Sequence, residues 1–351
     1  MKLKKKWLVL VLVLLLSLLA ACNSSSNEPT NSDSSEPSDS GSTSEAATNE
    51  EGYVIRLGSH LAPDHSAVKA GEKFKELVEE KSDGRIEVRV HPAGELGDQN
   101  ELIQSLQVGT IEMTINDTGL LANFAPKVAV LDLPYMFSDI DHVHRVYESS
   151  VGEQLKEDLL DSGIRSLGWY DSAFRHALLN TEVSSFEDFK GLTIRTPEAP
   201  TVIDTVNSWG ATATPIPWGD LYTSLETGVV DGFEGSAESI YSSGVHDVVK
   251  YIVETEHIFT ALSLNISDKF YQSLSDEDKQ IIDEAGKEAT LYGRQLANDL
   301  DEEFYNKLLE EGLESISIDR TPFEEAAQEI NKSYAERIDA VDLVEEIASL
   351  R

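Results

Sequence analysis

The sequence is poor in cysteine and in positive charge. Cys22 is its only cysteine, which excludes an internal disulfide. Against 64 acidic residues there are only 28 Lys and Arg, which gives a formal net charge of -36. A chain with so few cations lacks the clustered Lys and Arg of a nucleic-acid-binding surface, and it is unsuited to adsorption on anionic lipid. An anionic ligand that approaches this protein therefore needs one specific cation to hold it.

The apolar run at the N-terminus is too short to span a membrane. Apart from Ser17, residues 8–19 are apolar, about 12 residues where a span needs about 20. Lysines precede this run, and the LAAC that ends it at 19–22 is similar to the lipobox cut by bacterial lipoprotein signal peptidase. We expect residues 1–22 to be a lipoprotein signal peptide that leaves a diacylated Cys22. The alternative is an ordinary small-residue cleavage site, which leaves a lone extracytoplasmic thiol unexplained.

Residues 23–52 have no aromatic residue, no Leu, Ile or Val, and no Lys or Arg. Such a segment cannot bury enough apolar surface to offset its chain entropy, so we expect a disordered, acidic and Ser-rich tether. Repulsion between its acidic residues keeps it extended. A lipid anchor followed by a long tether indicates an extracytoplasmic protein held at the cell membrane, and it favours a Gram-positive cell surface.

From Tyr53 onward, short apolar segments alternate with amphipathic helical patterns, which predicts an α/β protein with parallel or mixed sheets. The segment from Tyr53 to the C-terminus is long for a single hydrophobic core and long enough for two lobes. We assign residues 53–173 and 261–351, including the C-terminal helices, to lobe I, and residues 174–260 to lobe II. Strands that cross between the lobes place a ligand cleft between them.

Local patterns predict several individual elements. Apolar strands at 229–233 and 259–266 are expected to return the chain to lobe I. Asp64 is the expected N-cap of the first helix. One helical pattern with few breakers runs over Ser275–Glu311, which is long enough to lie across both lobes.

Four segments carry a resemblance to a known family. They read HPAGELGDQNELIQSLQVGTIEM at 91–113, LDLPYMF at 131–137, FEDFKGLTIRTPEAP at 186–200 and ATPIPWGDLYTSLETGVVDGFEG at 213–235. In this order and spacing, the chain resembles the substrate-binding component of TRAP (tripartite ATP-independent periplasmic) transporters, the DctP family. The resemblance covers Tyr53 to the C-terminus. It implies a two-lobed fold like that of periplasmic binding proteins, with a central cleft, crossing strands and a long bracing helix.

The resemblance implies that Arg195 binds the ligand carboxylate, because it ends the GLTIR segment. A guanidinium is always charged, and its planar fork matches the edge of a carboxylate. The alternative for Arg195 is a strand-end arginine in a surface salt bridge. The resemblance also places Arg175 at a second ligand-contacting arginine and Trp218 at an aromatic position over the ligand. The alternatives are that Arg175 braces the hinge strands and that Trp218 belongs to the core.

On lobe I, the resemblance implies polar partners for the end of the ligand away from its carboxylate. His60, Gln99 and Asp117 align with positions that line the cleft in the family. A carboxylate such as that of Asp117 repels a dianion but accepts hydrogen bonds from hydroxyl groups. Glu198 and Glu234 are expected to accept such bonds as well.

The segment at 230–235 departs from the family pattern. Many relatives read VDGQEN where this chain reads VDGFEG, so Gly235 replaces an asparagine that forms a second carboxylate clamp. We expect a roomier pocket with rearranged donors, and the ligand cannot be carried over from sialic acid or C4-dicarboxylate binders. Asp231 is expected to be structural, in a turn with Gly232.

An enzyme is disfavoured because the chain has no GxSxG, HExxH, P-loop or dinucleotide-binding motif. We expect no metal site from His60, Asp64 and His65, since the Asp is a cap. We expect none from His142 and His144, which cannot share one face of a helix. No cofactor is expected.

The sequence therefore predicts a solute-binding lipoprotein that captures a small organic anion and delivers it to TRAP-type membrane permease subunits. We expect it to act as a monomer. A hydroxylated or sugar-acid monocarboxylate is the favoured ligand, and a C4-dicarboxylate or a keto acid is the alternative. A surface receptor that feeds a sensor kinase would use the same binding chemistry and stays open as an alternative function.

Cys22→Ser should release the protein from the membrane, because it removes the only thiol that can carry the lipid. Two acyl chains give stable anchoring where one chain binds only marginally. Membrane fractionation after a salt wash measures the effect, with the wild-type chain as control. A serine variant that remains in the membrane fraction contradicts the lipoprotein assignment.

Overall fold

The computed structural model describes residues 52–351, so the predicted signal peptide, the tether and Cys22 lie outside the described residues. Within residues 52–351, no helix is both long enough and apolar enough to cross a bilayer. The described part alternates strands and helices and forms two sheets, as the α/β pattern predicted.

The strands are short except at the crossing between the lobes. In chain order they are β1 (Tyr53–Ser59), β2 (Ile86–His91), β3 (Met113–Asp117), β4 (Ile164–Phe174), β5 (His176–Leu179), β6 (Thr193–Thr196), β7 (Thr212–Pro215), β8 (Gly232–Gly235), β9 (Tyr251–Val253), β10 (Phe259–Ser267) and β11 (Glu314–Ile316).

The helices cover the sheets and end in one long helix and two C-terminal helices. They are α1 (Ser66–Lys81), α2 (Gln99–Val108), α3 (Thr118–Leu121), α4 (Ile140–Tyr147), α5 (Ser150–Asp161), α6 (Pro200–Ser208), α7 (Leu221–Glu226), α8 (Ala237–Ser243), α9 (Asp268–Ser273), α10 (Asp276–Glu310), α11 (Thr321–Arg337) and α12 (Val341–Ser349). Single 3-10 turns lie at Pro126–Asp132, Phe186–Phe189, Trp218–Asp220 and Val245–Val248.

Each lobe is built on one sheet. The lobe I sheet has the order β2-β1-β3-β10-β4, in which β1 pairs in parallel with β2 and β3 while β10 is antiparallel to β3 and β4. The lobe II sheet has the order β11-β9-β5-β8-β6-β7, with β6 parallel to β7 and β8. The mixed sheets and their covering helices confirm the predicted fold class.

The lobes are joined by strands that cross from one to the other. The antiparallel pair β4 and β10 ends at Phe174 opposite Phe259. Only Arg175 separates β4 from β5, and its backbone N–H donates to the carbonyl of Ile258 at 2.8 Å. The chain therefore passes from one sheet to the other over a single residue, which places Arg175 at the hinge.

The long helix α10 packs against both lobes, as predicted. Its 35 residues follow Ser275, whose Oγ accepts a hydrogen bond from the N–H of Asp278 at 3.1 Å. Near its start, Ile282 lies in the lobe I core, and near its end Phe304 and Leu308 lie in the lobe II core. Because one helix contributes to both cores, it braces them.

Of the two strands predicted to return the chain to lobe I, one lies in lobe I and the other does not. The strand predicted at 259–266 is β10, in lobe I as expected. The strand predicted at 229–233 is β8, and the expectation that it returns to lobe I is wrong: it lies between β5 and β6 in lobe II, with Phe233 opposite Leu178 and Arg195. Its apolar pattern marks a buried strand but does not specify which sheet it joins.

Assigning all of residues 261–351 to lobe I is also wrong. The strand β11 pairs in parallel with β9 at the edge of the lobe II sheet, with Ser315 beside Ile252. Phe323 of α11 lies in a lobe II core cluster, whereas Tyr334 of the same helix lies in lobe I. A three-residue edge strand with exposed side chains has no periodicity that shows where it pairs.

The N-cap of α1 is His65, not Asp64 as predicted. The Nδ1 atom of His65 accepts a hydrogen bond from the N–H of Ala67 at 3.2 Å. Asp64 is exposed and pairs with Lys69 at 2.8 Å instead. A contact between the lobes favours His65 over Asp64 as the N-cap, because the buried Nε2 of His65 lies 3.1 Å from the hydroxyl of Ser239 in lobe II.

A buried carboxylate from lobe II accepts hydrogen bonds at the N-terminus of α1. Glu238 in α8 is 1% exposed. It accepts hydrogen bonds from both the backbone N–H and the hydroxyl of Ser66, each at 2.6 Å. A carboxylate is favourable at a helix N-terminus, where free N–H groups and the helix dipole attract negative charge. Glu238 therefore links the two lobes away from the cleft.

Glu238→Ala should lower the free energy of unfolding by about 2–4 kcal/mol, because it leaves two buried donors of Ser66 without an acceptor. Urea denaturation followed by circular dichroism measures this change. Glu226→Ala, at an exposed position of the same lobe, is the matched control and should cost less than about 0.5 kcal/mol. Equal effects of the two substitutions would contradict the lobe-linking role.

Candidate functional site

The residues that the resemblance singled out surround a cleft between the lobes. The outer cleft has a volume of about 630 Å³, and a smaller inner chamber of about 30 Å³ lies next to it. Both are lined by His60 and Gln99 from lobe I and by Arg195, Pro197 and Trp218 from lobe II. A ligand that fills this cleft contacts both lobes at once.

Arg195 reaches the cleft from the middle of the lobe II sheet. It lies in β6, opposite Thr214 of β7 and Phe233 of β8. Because side chains alternate along a strand, Ile194 enters the core while Arg195 lines the cleft. Arg195 is only 2% exposed, and its Nε donates to the carbonyl of Ile216 at 2.8 Å.

The rest of the Arg195 guanidinium has no anionic partner. No carboxylate of residues 52–351 lies within salt-bridge distance of it, and its Nη groups donate no hydrogen bond to this part of the chain. Its Cζ lies 5.4 Å from the ring centroid of Trp218, which gives a cation–π contact. Burial lowers the pKa of Arg195 to about 10, so it stays charged at neutral pH. A surface salt bridge, the alternative considered from the sequence, is therefore wrong.

Arg175 also lines the inner chamber, but four of its five N–H donors are already engaged. Its Nη2 lies 2.8 Å from Oε1 of Glu234, its Nε donates to the other carboxylate oxygen, and its Nη1 donates to Thr260 at 2.9 Å. Burial acts to raise the pKa of Glu234, but the charge and hydrogen bonds of Arg175, together with His257, hold that pKa at about 2. The result is a buried ion pair at the hinge.

Lobe I contributes a cluster of three hydrogen-bonded side chains. The Nε2 of Gln99 donates to Asp117 at 3.0 Å, and its Oε1 accepts from the Asp117 N–H at 3.0 Å. The Nε2 of His60 accepts a hydrogen bond from Nε2 of Gln99 at 3.1 Å and lies 3.7 Å from Asp117. Burial lowers the pKa of His60 to about 4, so the imidazole is neutral at pH 7. This cluster presents neutral and acceptor groups on the lobe I side of the cleft.

The start of α2 fixes the position of Gln99. Asp98 and Glu101 form a capping box, in which each side chain accepts a hydrogen bond from the other's backbone N–H, at 2.9 and 3.0 Å. Gln99 is therefore the first residue of a well-capped helix, and its side chain meets Asp117 at the end of β3.

A comparison with models of known protein families assigns this chain to one family. The model of the DctP family, described as bacterial extracellular solute-binding protein, family 7, matches residues 57–337. The chain belongs to this family. The resemblance inferred from the four segments is confirmed, and with it the function class of an extracytoplasmic solute-binding protein.

Known relatives and solved structures match this chain over most of its length and theirs. The 2,3-diketo-L-gulonate-binding periplasmic protein YiaO of Escherichia coli is 29% identical over 274 residues, 78% of this chain and 84% of that protein. A TRAP periplasmic solute-binding protein from Citrobacter koseri with bound D-glucuronate has a TM-score of 0.82 and 27% identity, over 85% of this chain and 100% of that one. One from Haemophilus influenzae with bound L-gulonate has a TM-score of 0.82 and 29% identity, over 85% and 99%.

The remaining predicted residues differ in where they lie. Glu198 lines the outer cleft, where its side chain bonds Asn100 of lobe I. Glu234 is fully buried against Arg175 and lines neither cavity, so it is not free to bind ligand hydroxyls as expected.

Gly235 lines the inner chamber, and an added Cβ would meet nothing closer than 3.5 Å, so the position has room. Asp231 accepts from the Thr193 N–H at 2.8 Å, a structural role.

The sequence did not indicate several residues that complete the site. Ser172, Ser239 and Thr260 line the inner chamber, and Asn123 of lobe I donates to the backbone carbonyl of Glu198 at 3.0 Å. Small hydroxyl residues give no local signal of a site. The crossing of β4 and β10 brings Ser172 and Thr260 to the chamber, and Ser239 reaches it from α8.

His142 and His144 lie outside the cleft and have structural partners in lobe I. His142 is buried and donates from Nε2 to the carbonyl of Ile347 at 2.8 Å, while His144 lies 2.5 Å from Asp171. Within residues 52–351, no group of three or more His, Cys, Asp and Glu side chains is arranged to hold a metal ion. These histidines are part of the packing of lobe I.

His60→Gln should reduce the acid sensitivity of the protein. The folded pKa of His60, about 4, lies below the unfolded value of about 6.5, so the unfolded chain binds the proton first and stability falls as pH drops from about 6.5 toward 4. Between pH 7 and pH 5 this single group should account for a loss of about 2 kcal/mol. Denaturation of both proteins at the two pH values measures the difference. An identical pH dependence in wild type and variant would show that His60 is not held neutral.

Proposed function

We propose that this protein captures a small organic acid, with a hydroxylated or sugar-acid monocarboxylate favoured, and delivers it to the membrane permease subunits of a TRAP-type transporter. The observation that carries the proposal is the guanidinium of Arg195, which lines the cleft, is almost fully buried and has no anionic partner within residues 52–351. A buried cation without a partner is unfavourable, and an incoming carboxylate supplies the missing charge and acceptors.

The shape of the site supports one carboxylate at one end and hydroxyl groups at the other. Arg195 and the ring of Trp218 face the chamber from lobe II, and an apolar ring face suits the carbon side of a sugar acid. Asp117 and Gln99 on lobe I offer acceptors and donors to hydroxyl groups. The structures with bound D-glucuronate and L-gulonate, and the diketogulonate-binding relative, support the same ligand class.

The proposal includes the location of the protein on the cell. Family membership supports an extracytoplasmic site of action. The LAAC at 19–22 and the polar segment that follows it support a lipid anchor on Cys22 and a tether that lets the binding module reach the permease. A Gram-positive surface remains the favoured setting for such a tether. The protein is proposed to act as a binding protein without catalysis.

Arg195→Ala should weaken sugar-acid binding by about two to three and a half orders of magnitude, because it leaves a desolvated carboxylate without its partner, at about 3–5 kcal/mol. A thermal-shift screen of aldonates and hexuronates first identifies a ligand, and calorimetry then compares the variants. Arg195→Lys should restore only part of the loss, since an ammonium cannot form the planar fork.

The matched control is Arg89→Ala, which removes an arginine of lobe I whose side chain is 56% exposed and does not line the cleft. Its affinity should stay within about twofold of wild type. The mechanism is contradicted if Arg195→Ala binds within about fivefold of wild type, and the function itself is contradicted if no organic acid raises the melting temperature.

A further inference from the structure

The outer cleft is larger than a single six-carbon acid needs. The inner chamber, at about 30 Å³, has room for about one or two waters, so it takes a carboxylate but not a sugar ring. The outer cleft, at about 630 Å³, has room for about twenty waters at a bulk share of about 30 Å³ each. A six-carbon sugar acid has about a dozen heavy atoms, so it leaves much of this space unfilled. A cleft of this size is typical of a larger, drug-sized ligand.

This space is present although the two lobes are already in contact. Glu198 of lobe II, which lines the outer cleft, accepts a hydrogen bond from the side chain of Asn100 in lobe I. Its backbone carbonyl accepts a second one from Asn123 of lobe I at 3.0 Å. Elsewhere, Ser66 of lobe I donates to the buried carboxylate of Glu238 in lobe II at 2.6 Å. The volume of the outer cleft is therefore not the result of widely separated lobes.

The walls of the outer cleft suit the ring of a neutral sugar. Tyr222, which is 40% exposed, lines this cleft together with Trp218. The apolar face of an aromatic ring packs against the carbon side of a sugar. Asp220 lines the same cleft, and its carboxylate has no hydrogen-bond partner within residues 52–351, whereas its backbone carbonyl accepts from Ser224 at 2.8 Å. Such a carboxylate accepts hydrogen bonds from sugar hydroxyls.

The charge of the outer cleft disfavours a second acidic group in the remaining space. Of the residues that line it, Arg195 alone carries a fixed positive charge, whereas Asp98, Glu101, Glu198 and Asp220 are acidic. Once a ligand carboxylate has paired with Arg195, a second carboxylate would meet only like charges. A neutral sugar meets no such repulsion.

We propose that the outer cleft binds a neutral sugar residue that is joined to the sugar acid, so that the preferred ligand is a glycosylated aldonate with one carboxylate. This inference rests on the proposed function and narrows its substrate class to a disaccharide acid. The carboxylate lies at Arg195, where the two cavities meet, and the second ring lies against Tyr222 and Trp218 in the outer cleft.

Lactobionate and D-gluconate test the inference, because lactobionate is gluconate with a galactose joined to it. In calorimetry, wild type should bind lactobionate at least about tenfold more tightly than gluconate, since the added ring contributes its own contacts. Lactobionate that binds less than about threefold more tightly than gluconate, or not at all, overturns the inference. The proposed function stands as long as any acid of the thermal-shift screen binds, and it fails together with the inference if none does.

A size series at Gly219 locates the second ring. Gly219 lines the outer cleft but not the inner chamber, and an added Cβ would meet nothing within 4 Å. Gly219→Phe should fill the space of the second ring and lower the ratio of lactobionate to gluconate affinity by at least about tenfold. Gly219→Ala, which adds a single methyl group, is the control and should keep that ratio within about threefold of wild type.

Tyr222→Ala tests the same place by removing a ring instead of adding one, and it should lower the affinity ratio by at least about threefold. The matched control is Tyr292→Ala, because Tyr292 of α10 is 44% exposed and does not line the cleft. Its affinity for both acids should stay within about twofold of wild type. A ratio that neither Gly219→Phe nor Tyr222→Ala changes by more than about twofold overturns the inference.

Discussion

The structure depends on one uncompensated charge. The guanidinium of Arg195 is withdrawn from water, bonded through a single nitrogen to the Ile216 carbonyl and covered by the ring of Trp218. Taking a cation out of water without a counter-ion costs free energy, and neither a carbonyl nor an aromatic ring supplies a full negative charge. The protein therefore holds a site that is complete only when an anion is bound. In a chain with a formal charge of -36, this local cation is the proposed partner of an anionic ligand.

The two-lobed architecture places the proposed binding residues on both sides of the cleft. Arg195 and Trp218 belong to lobe II, whereas His60, Gln99 and Asp117 belong to lobe I, so a ligand that contacts both lobes favours the closed arrangement. One crossing between the lobes lies at Arg175, where β4 passes directly into β5. The helix α10 and the Glu238 contact to Ser66 hold the lobes together at other points.

Local signals in the sequence predicted the features that depend on neighbouring residues. The helical pattern with few breakers over Ser275–Glu311 predicted α10, and the family resemblance of the GLTIR segment predicted a cleft-facing Arg195. Pairings between distant segments were missed, because nothing local encodes them. The partner of Arg175 is Glu234, 59 residues away, and the cap of α1 is completed by Glu238, 172 residues from Ser66. For the same reason β11 was assigned to the wrong lobe.

A binding cycle that changes ligand and protein together tests the central claim most directly. Calorimetry would compare D-glucuronate with its neutral amide, D-glucuronamide, on wild type and on Arg195→Ala. If the carboxylate binds through Arg195, the two changes are not additive, and the coupling free energy should be at least about 2 kcal/mol. A coupling below about 0.5 kcal/mol would show that the carboxylate and Arg195 act independently, which contradicts the account.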